Sequence, residues 1–203
     1  MTADAGGSRT EAMSVATTER IVNVPNALTM ARLVLAIVVF VLIAAGLFLP
    51  AFIVFVVAAS TDWVDGYWAR RFGQVSKVGR ILDPFVDKII ICGTFIFLAA
   101  ERPGSGIAPW VATVVVGREL LVTALRSAIE ASGGDFSASW PAKWKMFFQC
   151  VAAGASLIAL TYQGQMVPSA VRVTLVLAVW LTVLTTVYSG LDYVVAAFRR
   201  LKA

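Results

Sequence analysis

The sequence predicts an all-α membrane protein, built as a bundle of six transmembrane helices. Of its 203 residues, 59% are apolar and 14% are charged, whereas soluble domains carry about 25% charged residues. Six apolar segments are close to the length of about 20 residues that a helix needs to cross a bilayer. Because lipid offers the backbone no hydrogen-bond partners, we expect every segment to be helical.

The six predicted helices follow a short polar tail. Residues 1–20 are rich in Thr, Ala and Gly and lack the pattern of a signal peptide, so we expect a loose tail that is not removed. Residues 21–203 are expected to form one membrane domain. Its helices are predicted at residues 27–49, 51–69, 84–100, 107–129, 146–162 and 173–197.

The basic residues predict how the bundle is oriented. The connections on one side of the membrane carry only Arg102 and Arg172. Many more basic residues lie on the other side, in the tail, the second and fourth connections and the C-terminus. They are Arg9, Arg20, Arg70, Arg71, Lys77, Arg80, Lys143, Lys145, Arg199, Arg200 and Lys202. Since positive charge favours the cytoplasmic side, we expect a multi-pass protein of the cell membrane with both termini in the cytoplasm.

Composition excludes several classes of function. The net charge is +5, but the basic residues form no single patch, so we expect no nucleic-acid partner. Histidine is absent, which excludes catalysis by an imidazole base, including the Ser-His-Asp type. Cys92 and Cys150 lie in apolar segments without metal-binding spacing and are interpreted as small apolar side chains.

Four aspartates surround the second connection, and they are a third of the 12 acidic residues. Asp62 and Asp65 are three residues apart, and Asp83 and Asp87 are four apart, so each pair shares one face of a helix. A short link joins the two helices and allows the pairs to face each other. The four carboxylates would therefore converge at the cytoplasmic end of the bundle.

Converging carboxylates repel one another unless cations lie between them. Oxygen ligands without Cys or His favour Mg²⁺ or Mn²⁺, and two such ions suit an enzyme that acts on a diphosphate. Gly66 would let a ligand approach the backbone, and Arg70 is placed to bind phosphate. In the alternative interpretation, the acids pair with Arg70, Arg71, Arg80 and Lys88 at a hydrated helix end.

These residues form a recognisable motif, which reads Asp62-x2-Asp65-Gly66-x2-Ala69-Arg70-x8-Gly79-x3-Asp83-x3-Asp87. It resembles the CDP-alcohol phosphatidyltransferase family at every fixed position. The resemblance implies that family's six-helix bundle, a homodimer, and two divalent ions, Mg²⁺ or Mn²⁺. It implies that the four aspartates are the metal ligands and that Asp87 is also the general base, a role that suits a carboxylate beside an incoming hydroxyl.

The resemblance also assigns the nucleotide contacts. Gly66, Arg70 and Ser76 match positions that bind the CDP group. The run NVPNALTMAR resembles the motif that opens the family's first helix, and it implies that Asn26 and Thr29 help to hold the nucleotide. Helix capping is the alternative role for Asn26 and Thr29.

A second group of charged residues is expected to bind the acceptor alcohol. Arginines within a membrane usually face a polar cavity or a partner, and guanidinium groups bind phosphate in a bidentate manner. The runs GRELLVTALR and SWPAKWKMFFQ resemble the glycerol-phosphate branch of the family. We therefore expect the acceptor phosphate to be bound by Arg118, Arg126, Lys143 and Lys145. Alternatively, Arg118 and Glu119 form an internal network, and the two lysines only set the topology.

Together these expectations define a reaction. The resemblance implies transfer of a phosphatidyl group from CDP-diacylglycerol to glycerol 3-phosphate, with release of CMP and with membrane lipids around the protein. Two alternatives within the family are transfer to inositol phosphate and synthesis of cardiolipin from phosphatidylglycerol. A transporter or channel would also use charges within a membrane, but it would not need the spacing of the four aspartates.

Overall fold

The computed structural model describes residues 24–72, 77–101, 103–131 and 141–201. Within these ranges the chain forms six α-helices and no strand, which confirms the all-α prediction; the tail at residues 1–20 lies outside them. The helices are α1 (Val24–Ala44), α2 (Phe48–Phe72), α3 (Lys77–Ala100), α4 (Pro109–Ala131), α5 (Pro141–Leu160) and α6 (Ser169–Leu201).

Each helix extends beyond its predicted apolar segment at one end at least, most clearly at a polar end, whereas α1 ends at Ala44 rather than at residue 49 because a turn with Gly46 at a φ of 72° precedes α2. Helix α3 begins at Lys77 rather than at residue 84, and α5 begins at Pro141 rather than at residue 146. Apolar character identifies the part of a helix that lipid can surround, whereas polar residues continue the same backbone hydrogen bonds beyond it. Pro84, which was expected to start a helix, lies inside α3 and removes one hydrogen bond from it.

Helix α1 packs against both α2 and α3, and α5 packs against α2, α3 and α6. Helix α4 lies outside this group, against α3 and α6. The main apolar core contains buried residues of all six helices, and in it Val39, Phe55, Phe95 and Leu157 are at most 2% exposed. The outer surface is apolar as well, as is expected of a bundle whose solvent is lipid.

One helix in the described part of the chain, Ser169–Arg199, is both long and apolar enough to cross a membrane. The continuous apolar stretches in three other helices are shorter, and they are Thr29–Ala44, Phe48–Thr61 and Trp144–Leu160. The predicted aspartates lie in the C-terminal part of α2 and the N-terminal part of α3, and the two predicted lysines lie in the first two turns of α5.

Candidate active site

The four aspartates lie on the two helices that flank the second connection. Asp62 and Asp65 belong to the C-terminal part of α2, and Asp83 and Asp87 belong to the N-terminal part of α3. Helical register therefore places each pair on one face, as the sequence predicted. The side chains of Asp62, Asp65 and Asp83 fall outside the described residues, whereas that of Asp87 is described.

Asp87 is held by an arginine from another helix. The Arg32 Nη1 atom of α1 donates a hydrogen bond of 2.6 Å to Asp87 Oδ1 of α3. The Arg32 side chain is 3% exposed and that of Asp87 is 31% exposed, so the contact joins a buried cation to a carboxylate that ligands can reach. A short, charge-assisted hydrogen bond of this kind fixes the orientation of the carboxylate.

Asp87 lines a polar cavity of about 230 Å³. Helices α3, α4 and α5 supply most of the lining, and Tyr193 of α6 completes it. The polar residues of the lining are Asp87, Lys88, Arg118, Glu119, Thr123, Arg126, Lys145 and Gln149. Since four of these carry positive charge and two carry negative charge, the cavity suits a small anion.

Three charged side chains form a buried network in this cavity. Arg118 Nη1 donates a hydrogen bond of 3.1 Å to Glu119 Oε1, and Lys145 Nζ donates to the same oxygen. All three side chains are 8 to 10% exposed. Burying charge is costly unless the charges are paired. Glu119 therefore keeps two cations at the cavity wall, and the internal network considered for Arg118 and Glu119 does exist.

Arg118 has binding capacity that this network does not use. Within the described part of the chain, its Nε and Nη2 atoms are buried and have no hydrogen-bond partner. The guanidinium lies 5.5 Å from the centre of the Tyr193 ring, which contributes a cation–π contact. A Cβ atom at Gly190 would lie 3.3 Å from Arg118 Cγ, so the absence of a side chain there gives the arginine room against α6.

Lys88 is a further cation of the lining, and its position is fixed across two helices. Lys88 Nζ donates a hydrogen bond of 2.6 Å to Thr123 Oγ1, and Thr123 Oγ1 donates one of 2.6 Å to the Glu119 carbonyl oxygen. This chain of hydrogen bonds ties α3 to α4 beside the buried network. Lys88 therefore presents positive charge immediately next to Asp87.

Arg126 lies at the rim of the cavity rather than within it. Its Nε atom donates a hydrogen bond of 2.8 Å to Glu130 Oε1, one helical turn away. Both side chains are about half exposed, at 51% and 54%. Such exposed pairs hold their partners weakly, so Arg126 remains available to a ligand.

The structure brings together Asp87 and three of the four predicted acceptor-site residues, namely Arg118, Arg126 and Lys145. The fourth, Lys143, lies in the first turn of α5, and its side chain is outside the described residues. The Arg70 side chain and the surroundings of Gly66, both on α2, are likewise outside the described residues. Ser76 falls outside the described ranges altogether.

The two residues predicted near the start of the first helix lie inside it. Helix α1 begins at Val24, so Asn26 and Thr29 are its third and sixth residues. A capping residue stands just before the first helical residue, whereas Thr29 is the sixth residue of the helix, so Thr29 does not cap α1. The Thr29 side chain is 2% exposed and lies about one turn before Arg32, whereas that of Asn26 is not described.

Sequence reasoning assigned no site role to five residues that build this cavity or hold Asp87: Arg32, Lys88, Thr123, Gln149 and Tyr193. Two of them carried a usable signal, because Lys88 adjoins Asp87 and Thr123 follows Glu119 by one helical turn. Gln149, which is 1% exposed and donates to Thr186 Oγ1 at 3.4 Å, carried none. Tyr193 reaches the site only because α6 packs on α4.

Comparison with known proteins identifies the family. The family model for CDP-alcohol phosphatidyltransferase matches residues 22–188, which is most of the chain. The chain belongs to the CDP-alcohol phosphatidyltransferase family. The resemblance found in the aspartate motif is thereby confirmed, and the matched region includes every predicted site residue.

Curated relatives in this family are similar over most of their length. A CDP-diacylglycerol--glycerol-3-phosphate 3-phosphatidyltransferase of Bacillus subtilis is 33% identical over 189 residues, covering 84% of this chain and 93% of the relative. A probable phosphatidylglycerophosphate synthase of Mycobacterium tuberculosis is 37% identical over 196 residues, covering 93% and 88%. A relative from Haemophilus influenzae with the same name as the Bacillus protein is 27% identical, covering 86% and 93%.

Proposed function

We propose that this protein transfers the phosphatidyl group of CDP-diacylglycerol to sn-glycerol 3-phosphate, giving phosphatidylglycerol phosphate and CMP. The names of the similar proteins support this reaction. The observation that carries the proposal is the polar cavity, in which Asp87 shares one lining with Arg118, Arg126 and Lys145. A proton acceptor and three phosphate-binding cations are what an acceptor with a reacting hydroxyl and a phosphate requires.

The motif aspartates are proposed to hold two divalent ions, Mg²⁺ or Mn²⁺. The donor set fits such ions, because it consists of carboxylates from two helices with no Cys or His among them. Among the described residues no group of three or more metal-binding side chains is found, and three of the four carboxylates lie outside that part. When bound, the ions would offset the negative charge of the diphosphate.

The chain's own residues have separable roles in the proposed reaction. Asp87 takes the proton of the acceptor hydroxyl, and Arg32 keeps the Asp87 carboxylate oriented. The hydroxyl oxygen then attacks the lipid-side phosphorus. A new phosphorus–oxygen bond forms, the bond to CMP breaks, and CMP leaves with the electron pair. Meanwhile the acceptor phosphate is bound by Arg118, Arg126, Lys143 and Lys145.

The nucleotide and lipid parts of the donor would occupy other places. By the family motif, the CDP group contacts Asn26, Thr29, Gly66, Arg70 and Ser76. The acyl chains are proposed to lie in an open apolar groove of about 670 Å³ between α2 and α5, which extends to Ser60, two residues before Asp62. Met146 lines both this groove and the polar cavity, so lipid and acceptor would meet from opposite sides.

The proposal includes the membrane arrangement. The six helices would cross the cell membrane as one domain, residues 21–203, with the tail and the C-terminus in the cytoplasm. The charged ends of α2, α3 and α5 would then face the cytoplasm, where glycerol 3-phosphate and CMP are soluble. The family resemblance supports a homodimer.

The test is release of CMP by purified protein from CDP-diacylglycerol, with Mg²⁺ or Mn²⁺. Glycerol 3-phosphate, inositol phosphate and phosphatidylglycerol are supplied in turn as acceptors. We expect CMP with glycerol 3-phosphate. Release of CMP with inositol phosphate alone, or with phosphatidylglycerol alone, would identify that compound as the acceptor instead of glycerol 3-phosphate. No release of CMP with any of the three would overturn the enzyme proposal in favour of a transporter or channel.

A further inference from the structure

We infer that Glu119 determines acceptor specificity: its second carboxylate oxygen accepts a hydrogen bond from the hydroxyl that lies between the reacting oxygen and the phosphate of the acceptor. This inference rests on the proposed function and deepens it. It assigns to Glu119 a contact with the substrate, in addition to its contacts with Arg118 and Lys145.

The hydrogen bonds of Glu119 leave one oxygen available. Both cations bind Oε1, and within the described part of the chain Oε2 has no partner. The side chain is 10% exposed and lines the polar cavity. A carboxylate oxygen only accepts hydrogen bonds, so Oε2 is open to a donor from whatever fills the cavity. Such a donor must be an O–H or N–H group, which an ionised phosphate does not provide.

The acceptor carries a hydroxyl donor at the required place, between its reacting oxygen and its phosphate. In glycerol 3-phosphate, a secondary hydroxyl lies between the primary hydroxyl and the phosphate. The cavity presents Asp87 for the primary hydroxyl and the cations Arg118 and Lys145 for the phosphate. Because Glu119 is bonded directly to both cations, its carboxylate lies next to the phosphate position and can reach the neighbouring carbon.

The charge of the cavity does not oppose an ionised Glu119 beside the acceptor. Oε1 is neutralised by two cations, and Lys88 and Arg126 add further positive charge to the lining. The cavity therefore retains an excess of cations over carboxylates even with Glu119 ionised. A carboxylate that served only to neutralise Arg118 and Lys145 would treat acceptors with and without the middle hydroxyl alike. This difference is measurable.

The experiment compares kcat/KM for glycerol 3-phosphate with kcat/KM for 3-hydroxypropyl phosphate, which lacks only the middle hydroxyl. We expect the wild type to prefer glycerol 3-phosphate by about 10- to 100-fold, the range for a hydrogen bond to a charged group. In Glu119→Gln, whose neutral amide accepts more weakly, this preference should fall at least fivefold. Glu101→Gln, the same chemical change just after the end of α3 and outside the cavity lining, should keep the wild-type preference.

Two outcomes would overturn the inference. The first is a wild type that uses both acceptors equally well, which needs no variant and decides the matter even if Glu119→Gln does not fold. The second is a Glu119→Gln variant that loses the same factor on both acceptors, because Glu119 would then only position the cations. If the wild type released no CMP with either acceptor, the proposed function itself would have failed.

Discussion

The apolar core and the charged network of Arg118, Glu119 and Lys145 are both largely buried, but they have different roles. In the core, Phe95 and Leu157 are 0% exposed and are stabilised by close packing. In the cavity, the side chains of Glu119 and Lys145 are 10% and 8% exposed, yet both are charged. Buried ion pairs seldom stabilise a protein more than apolar residues of the same volume would. Their presence in one restricted region therefore indicates a ligand rather than a requirement of the fold.

The two regions are nevertheless linked through α1 and α3. Phe40 of α1 stacks on Phe97 of α3, with ring centres 5.1 Å apart and planes 4° apart. Gly93 of α3 lies against the outer edge of the Phe40 ring. Further along the same pair of helices, Arg32 meets Asp87. Apolar packing thus sets the register in which the arginine reaches the carboxylate.

The largest effect is expected for Asp87→Asn. Loss of general-base catalysis typically lowers turnover by about 10²- to 10⁴-fold, and kcat for CMP release should fall by at least this range. The amide oxygen can still accept from Arg32, so the unfolding temperature in detergent should change little. CDP binding should persist. Activity above a tenth of the wild-type value would remove Asp87 as the base.

The second-largest effect on activity is expected for Lys145→Met. The variant retains the stem but removes one phosphate-binding cation, and KM for glycerol 3-phosphate should rise at least tenfold, about 1.4 kcal/mol, in steady-state assays. Glu119 would keep Arg118 as its partner, which limits the loss of stability. Arg172→Met, which removes an exposed arginine at the far end of α6, is the control and should leave KM unchanged. Equal KM values for the two variants would contradict the assignment.

The apolar region should respond in stability instead of activity. A Cβ atom at Gly93 would overlap the Phe40 ring, so Gly93→Ala should lower the free energy of unfolding by about 1–3 kcal/mol. The comparison is Gly117→Ala in α4, where no atom lies within 4 Å and where alanine should stabilise the helix by about 0.5–1 kcal/mol. Thermal unfolding of both variants in detergent measures this difference. Similar shifts for both would show that the Phe40 contact is not tight.

The smallest effect is expected for Glu130→Gln at the cavity rim. The pair with Arg126 is half exposed, and exposed pairs of this kind contribute about 0.3–0.5 kcal/mol. The free energy of unfolding should therefore change by less than about 0.5 kcal/mol. A loss several times larger would mean that the rim is as tightly organised as the buried network.

Much of this architecture could be predicted from the sequence, because it depends on local patterns. Apolar length identified six helices, and the aspartate spacing placed Asp62 and Asp65 on α2 and Asp83 and Asp87 on α3. The charges of the GRELLVTALR run correctly pointed to a polar cavity, which Arg118 and Arg126 line. The helix ends were missed, because polar turns such as the one that starts at Lys77 carry no apolar signal.

The residues that could not be predicted are those that depend on packing between distant helices. Arg32 and Asp87 are 55 residues apart in the chain, and Lys145 and Glu119 are 26 apart. No sequence periodicity connects such pairs, because the connection is made by the packing of α1 on α3 and of α4 and α5 around the cavity. Tyr193 illustrates the same point from α6.

If the polar cavity positions glycerol 3-phosphate for attack on CDP-diacylglycerol, the products of the reaction must show it. Purified protein is incubated with CDP-diacylglycerol, Mg²⁺ or Mn²⁺ and glycerol 3-phosphate, and the lipids and CMP are quantified by mass spectrometry. We predict phosphatidylglycerol phosphate and CMP in equal amounts, with neither formed when glycerol 3-phosphate is omitted. CMP that appears with phosphatidic acid, or without dependence on glycerol 3-phosphate, would contradict the account.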